Sequence, residues 1–266
     1  MVRASRERAA RFVQPGAGAS AWTIDATSGR PTPLTEAEAE AILSAALVAS
    51  PNVTNLWKFG TPASGDVSDV IGGKTLTASA VTNSWTYQQS ESGWALKFIQ
   101  CGDPGLGSAK LENTSMPNVN ANSYTLFLLA KVSTPIDGVQ RTICRLGGTF
   151  EDDANMTINN TPILQIGEGD GTYTSGASDP TGAVRWFVLR IDDTGNTVDA
   201  FTSQEKIIVG TQACNGTEVT FGGDFVDTWR PPAMSLGLAF IHQGALTNTE
   251  IKAALTSLGE SPGWTP

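Results

Sequence analysis

The 266-residue sequence predicts an all-β fold, an antiparallel sandwich or jelly roll, on three observations. Short β-like runs follow one another from Leu56 to His242, and Gly, Asn, Asp and Pro punctuate them. No helical periodicity intervenes between them. Helix signals occur only at the two flanks, so the alternation of strand and helix that builds a parallel sheet is absent.

Residues 1–33 contain Pro15, Pro31 and Pro33 and several glycines with little periodicity, and they read as an extended basic arm. A helix over 34–50 follows: Thr35 caps it, Glu38 completes a capping box, and Pro51 stops it. The sandwich takes 51–266. Its runs are "LWKF", "KTLTAS", "SWTYQ", "ALKFI", "YTLFLLAKV", "RTICRL", "PILQIG", "VRWFVLRI", "TVDAF", "KIIVG", "EVTF" and "SLGLAFIH". In "VRWFVLRI", Val184, Trp186, Val188 and Arg190 face one way and Arg185, Phe187, Leu189 and Ile191 the other. Apolar residues on both faces predict a strand covered on both sides.

A second helix closes the chain. Thr247 and Glu250 form its capping box, Leu246 and Ile251 its hydrophobic staple, and Gly259 its stop. Leu34, Thr35, Glu38, Ala41 and Leu43 repeat this spacing at Leu246, Thr247, Glu250, Ala253 and Leu255, which is one helix-start solution used twice rather than a duplicated domain.

Composition excludes several classes. With 40% apolar residues the chain buries a real core, and no run approaches the roughly 18 apolar residues of a membrane helix. "MVRASRERAARFVQPGAGAS" lacks the apolar centre of a signal peptide, so export by that route is not expected. The net charge is −9, yet residues 1–12 hold four Arg against one Glu, which sets +3 on the arm and −12 on the rest. So acidic a body disfavours direct binding of nucleic acid. Arg3, Arg6, Arg8 and Arg11 suit an acidic partner surface, or else a solvated tail. Cys101, Cys144 and Cys214 lack C-x-x-C spacing and read as buried free thiols. The N-x-S/T matches at Asn52, Asn113, Asn155, Asn159 and Asn215 are what chance gives in a chain rich in Asn and Thr.

"LWKFGTPASGDVSDVIGGKTLT" carries Trp57, Asp66, Asp69, Gly72, Gly73 and Leu76, and "GWALKF" runs from Gly93 to Phe98. With "SYTLFLLAKV", "VRWFVLRIDDTGNTVDAF" and "LAFIHQGALTNTEIKAAL", these resemble, in order, the strands of the laminin-G-like or concanavalin A-like lectin and glucanase sandwiches. The resemblance covers roughly 53–259 and implies two curved antiparallel sheets packed face to face, a concanavalin A-like jelly roll. Members of that family bind sugars, bind proteins, hydrolyse glycans or build particles, so fold alone leaves function open.

Glycan hydrolysis in that family uses a Glu-x-Asp-x-(x)-Glu stretch whose alternate carboxylates share a strand face. Here "EAEAEA" is helical, "EDDAN" lacks the order, and "EGDGTY" holds Glu168 and Asp170 without a third acid. No G-x-S-x-G elbow is present, and His242, the sole histidine, follows Leu236, Leu238 and Phe240 on one strand face, which makes it structural. The glycine-rich "GDPGLGSAK" lacks the P-loop ending and reads as a turn. The expectation is that the chain is not an enzyme.

No cofactor is required. Calcium is the cofactor the resemblance allows, with oxygen ligands available at Asp66, Asp69, Glu151, Asp152, Asp153, Asp224 and Asp227, although no spacing picks out a metal set. Sugar binding needs aromatic platforms beside polar groups. "SWTYQQSESGW" supplies Trp85, Tyr87 and Trp94, with Trp85 and Tyr87 on one strand face, and "GEGDGTYTSGASDP" supplies Tyr173 in a loop. Packing on the sandwich is the alternative for each ring.

The absent catalytic sets, the basic Pro/Gly-rich arm and the single sandwich favour a structural or surface-decoration protein of a bacteriophage particle. Such a protein would attach through its arm to other copies or to capsid and tail proteins, and would reside in the virion, or in the cytoplasm before assembly. A lectin-like module that recognises cell-surface glycans is the second reading, and a divergent glycoside hydrolase the third.

Overall fold

The computed structural model describes residues 22–24, 31–33, 45–80, 85–92, 94, 96–101, 109–117, 122–134, 141–147, 154–159, 161–168, 172–192, 197–211, 214–222 and 233–266. In chain order they form β1 (Trp22–Ile24), β2 (Pro31–Pro33), the helical segment α1 (45–49), β3 (Val53–Lys58), β4 (Thr77–Ala80), β5 (Trp85–Ser90) and β6 (Lys97–Cys101). β7 (Ala109–Asn113), β8 (Tyr124–Val132), β9 (Arg141–Gly147), β10 (Ala154–Ile158), β11 (Leu164–Glu168) and β12 (Thr172–Ser175) come next. The chain then runs through β13 (Val184–Asp192), β14 (Thr197–Phe201), β15 (Lys206–Thr211), β16 (Glu218–Gly222), β17 (Met234–Gln243) and α2 (Asn248–Ser257).

Two antiparallel sheets make the sandwich. One runs β12-β11-β10-β9-β16-β7-β4 and the other β15-β14-β13-β8-β17-β6-β5, with β3 also pairing to β17. β1 and β2, within the stretch read as the arm, form a separate antiparallel pair. The start of the helix expected over 34–50 lies outside the described residues, as do the four arginines of the arm.

Between the sheets lies a core built from alternate residues of both. Leu126, Leu128, Ala130 and Val132 of β8 and Phe187, Leu189 and Ile191 of β13 meet Cys144, Leu146, Met156, Ile166 and Phe221 from the opposite sheet. Each such side chain contributes roughly 1.5–3 kcal/mol by leaving water. Phe221 receives the edges of Trp57 and Phe59 at centroid distances of 5.9 and 5.1 Å. The Trp57 indole donates to Lys74 O at 2.7 Å, so the turn after β3 is tied to the core. Cys101, Cys144 and Cys214 are buried thiols, and burial pushes the Cys144 thiol far above its usual range.

The outer face of the eight-stranded sheet is apolar where α2 covers it, as the two-sided β13 pattern predicts. Trp186 and Val188 join Leu56, Phe98, Phe127, Leu129, Phe201, Leu238 and Phe240 there, and Ile251 and Leu255 of α2 close over them with Leu258 and Trp264. α2 starts where its capping box places it: Glu250 N donates to Thr247 Oγ1, and Thr247 N donates back to Glu250 Oε2 at 2.8 Å. No described helix is long and apolar enough to cross a membrane.

β7, β10 and β12 have no counterpart among the expected runs. Their outward positions are polar, as in Asn155 and Thr157 of β10, so hydrophobicity alone did not mark them. Tyr173 therefore belongs to an edge strand, β12, and not to a loop.

Candidate functional site

Where α2 ends, the outer face of the eight-stranded sheet turns polar. Along β8 and β6 the alternation holds while the residue type changes: Phe127 and Leu129 are followed two residues on by Lys131, and Phe98 by Gln100; in β17 a bulge between Leu236 and Leu238 brings Ser235 to the same face. The registers Val184↔Lys131, Lys131↔Ser235, Ser235↔Gln100 and Gln100↔Thr86 set these five residues in one row across β13, β8, β17, β6 and β5. At the usual interstrand spacing the row is roughly 19 Å long. It is the floor of a groove.

Glu91 stands on that floor. It follows the last residue of β5, and its carboxylate accepts Lys131 Nζ at 2.8 Å, Ser235 Oγ at 2.6 Å and Gln100 Nε2 at 3.0 Å. Burial by itself would raise its pKa. Hydrogen bonds from Lys131, Ser235 and Gln100, with the Lys131 charge, outweigh that and hold the carboxyl below the usual range. Glu91 is therefore a fixed anion at neutral pH, unsuited to donate a proton.

On one side of Glu91 is a cavity of about 440 Å³, lined by Ser92, Trp94, Val184, Arg185, Gln204 and Glu260 among others. On the other is one of about 300 Å³, lined by Thr86, Gln100, Ser133, Ala233 and Ser235 among others. Glu91 and Lys131 line both. A turn in which Trp94 N donates to Glu91 O at 3.2 Å brings both residues to the lining of the larger cavity, and the Trp94 side chain, partly exposed, rests against the outer apolar cluster. Arg185 donates to Gln204 Oε1, and burial lowers its pKa while Glu260 and Asp179 pull it back up.

The candidate rings of the sequence divide between faces. Trp94 borders the groove. Trp85 and Tyr87 share a side as expected, but that side is the core: Trp85 is 6% exposed, and Tyr87 packs against the same cluster and donates its hydroxyl to Gly65 O at 2.7 Å. Tyr173 lies across the sandwich, on the outer face of the seven-stranded sheet. A Cβ on Gly167 would fall 2.8 Å from its ring, so the tyrosine lies flat over the glycine. There the registers align Thr77, Glu112, Thr220, Arg145, Asn155, Gly167 and Tyr173 in a single polar row. Arg145, Asn155 and Thr220 in that row are all buried.

The remaining candidates are structural or undescribed. Both Asp69 oxygens are occupied, Oδ1 by the Leu56 and Ile71 amides and Oδ2 by Asn55 Nδ2 and the Lys74 amide, which organises a turn and leaves little for a cation. Asp66 accepts Ala78 N. Glu151, Asp152, Asp153, Asp170, Asp224 and Asp227 lie outside the described residues, and Glu168 closes β11. Among the described residues no group of three or more His, Cys, Asp and Glu could hold a metal ion. His242 sits in β17 opposite Thr125, and the nearby Glu250 is committed to the cap of α2. Sequence reasoning missed Lys131, Gln100 and Ser235. For Lys131 and Gln100 the available signal was a polar residue ending the outward row of an otherwise apolar strand, whereas Ser235 reaches that face through the bulge between Leu236 and Leu238, which alternation does not show.

No family model matches the chain, and no curated protein matches it. Among solved structures, a Trypanosoma rangeli sialidase in complex with sialic acid aligns with a TM-score of 0.60 at 10% identity, over 96% of this chain and 38% of its own. A botulinum neurotoxin type C structure, described as showing cell entry dependent upon interaction with two ganglioside molecules, aligns with a TM-score of 0.52 at 13% identity, over 81% of this chain and 53% of its own. The chain thus spans well under two thirds of either. At such identities the likeness shows the fold, a β-sandwich shared with parts of glycan-handling proteins.

These neighbours correct one expectation. The reading that the chain is not an enzyme does not stand, because sialidases are among the structures that carry this fold. The missing Glu-x-Asp-x-(x)-Glu spacing excludes one arrangement of carboxylates, and a sandwich scaffold accepts others.

Proposed function

We propose that this chain is a carbohydrate-binding module of the concanavalin A-like, laminin-G-like kind, and that it takes its glycan in the groove beside Glu91. The observation that carries this reading is that the partly exposed Trp94 lines one cavity of about 440 Å³ together with a fixed carboxylate, Glu91, and its ammonium partner, Lys131. A sugar presents a C–H face to an aromatic ring and hydroxyls to charged partners, and this juxtaposition offers both. The neighbouring sialidase bound to sialic acid and the ganglioside-dependent toxin support the class of ligand.

Calorimetric titration across a panel of glycans, paired with Trp94→Ala, tests the proposal. Binding by the wild type and a loss of at least about tenfold in the variant are expected, at a temperature where both remain folded. Failure of every glycan class to bind would overturn it.

A role in a bacteriophage particle through Arg3, Arg6, Arg8 and Arg11 is a separate proposal, supported by the charge of +3 on residues 1–12. If protein lacking residues 1–33 joined its particle as well as the full chain, the attachment role would fail.

A further inference from the structure

Building on the glycan-binding reading, we infer that the ligand is an internal stretch of an uncharged oligosaccharide, lying across the Glu91–Lys131 pair with rings on both sides. The two cavities, about 440 and 300 Å³, lie at the lower end of the roughly 300–1,000 Å³ found for small-molecule sites. Each suits a short piece of ligand. Because Glu91 and Lys131 border both, a molecule that fills the two must pass over the pair, and only a chain does that.

The charges argue against an acidic sugar. Lys131 is matched by Glu91, and Arg185 is set against Glu260 and Asp179. The larger cavity is lined by two cations, Lys131 and Arg185, and by two carboxylates, Glu91 and Glu260, so its charges balance and leave no surplus positive charge for a ligand carboxylate. An acidic sugar would have to displace Glu91 from Lys131 and meet its charge at close range.

The hydrogen-bonding capacity fits hydroxyls instead. A carboxylate has about four acceptor positions, and Glu91 uses three on Lys131, Ser235 and Gln100. One of the three N–H donors of Lys131 is committed to Glu91. One acceptor thus stands beside free donors a few ångströms apart, which matches a vicinal diol: one hydroxyl donates to Glu91 and its neighbour accepts from Lys131. Ser92, Ser203 and Gln204 on one side and Ser133 and Thr86 on the other offer further neutral partners along the chain.

Titration of the full chain with neutral gluco-, manno- and galacto-oligosaccharides of one to six residues, beside sialyllactose and oligogalacturonate, tests the inference. Affinity is expected to rise at least about tenfold from mono- to tetrasaccharide in one neutral series and to exceed that for the acidic sugars. Ser133→Trp, which fills the smaller cavity from an exposed position, is expected to bring tetrasaccharide affinity down to that of the disaccharide. Tighter binding of the acidic sugars, or no dependence on length, would overturn this inference and leave glycan binding intact. Absence of binding to every sugar would instead remove the reading on which it rests.

Discussion

Lys131 Nζ donates to Glu91 Oε2 at 2.8 Å, from a side chain 37% exposed to one 8% exposed. The asymmetry sets what the pair does. The lysine keeps access to solvent and ligand, while the glutamate is anchored by Ser235 and Gln100 and depends on its donors to remain charged. Fold and groove meet at this contact, since β5, β6, β8 and β17 must all be in register for it to form.

Stability at low pH will depend on Glu91. Its folded pKa lies below the unfolded value, so its contribution is complete above roughly pH 4.3 and is lost as pH falls through the folded pKa. Thermal melts followed by circular dichroism between pH 7 and 3 should show a smaller decline for Glu91→Gln than for the wild type. Asp179 and Glu250 are also held low by hydrogen bonds from Thr181 and Thr247, so they contribute to the decline in both proteins alike. Parallel curves would show that Glu91 is not linked to folding.

Asp199 is fully buried and pairs with Arg190, whose guanidinium also donates to Leu246 O at 2.7 Å ahead of α2. Burial pushes the Asp199 carboxyl up even though Arg190 pulls it down. Asp199→Ala leaves a mostly buried cation uncompensated and should cost about 3–5 kcal/mol by urea unfolding. Arg190→Met with Asp199→Leu should recover much of that loss. A single variant as stable as the wild type would contradict this account.

The cap of α2 is a smaller effect. Thr247→Ala should destabilise by about 1 kcal/mol and Thr247→Ser by much less, because serine keeps the acceptor for Glu250 N. Equal losses in the two variants would mean that the methyl group matters and the cap does not.

Among the described residues, Thr220 Oγ1 on the outer face of the seven-stranded sheet is buried with no hydrogen-bond partner. An unsatisfied hydroxyl there carries a desolvation penalty of roughly 1–3 kcal/mol, so Thr220→Val should be neutral or stabilising in chemical denaturation. A clear loss would show that the hydroxyl is satisfied in solution.

Much of the fold was legible because its determinants are local. Alternation in "VRWFVLRI" separated Trp186 from Phe187, and the two residues lie in different apolar clusters on opposite faces of the sheet. Thr247 and Glu250 marked the start of α2 to the residue. Trp85, Tyr87 and Trp94 were grouped by proximity in sequence, and the structure parts them. β5 sends the first two inward and bulges at Gln88, which has a φ of 54°, before the turn after Ser90 carries Trp94 to the outer face.

The sequence by itself determined most of the strands, which residues face inward along many of them, and where the closing helix begins. These follow from side-chain periodicity and capping, whose energies act between residues a few positions apart. Only the tertiary structure decided the groove. Glu91, Gln100, Lys131 and Ser235 lie far apart along the chain, and pairing across β5, β6, β8 and β17 brings them together. That pairing is fixed by burial of the whole sheet, and a slip of one residue in any of these strands would turn its polar member into the core.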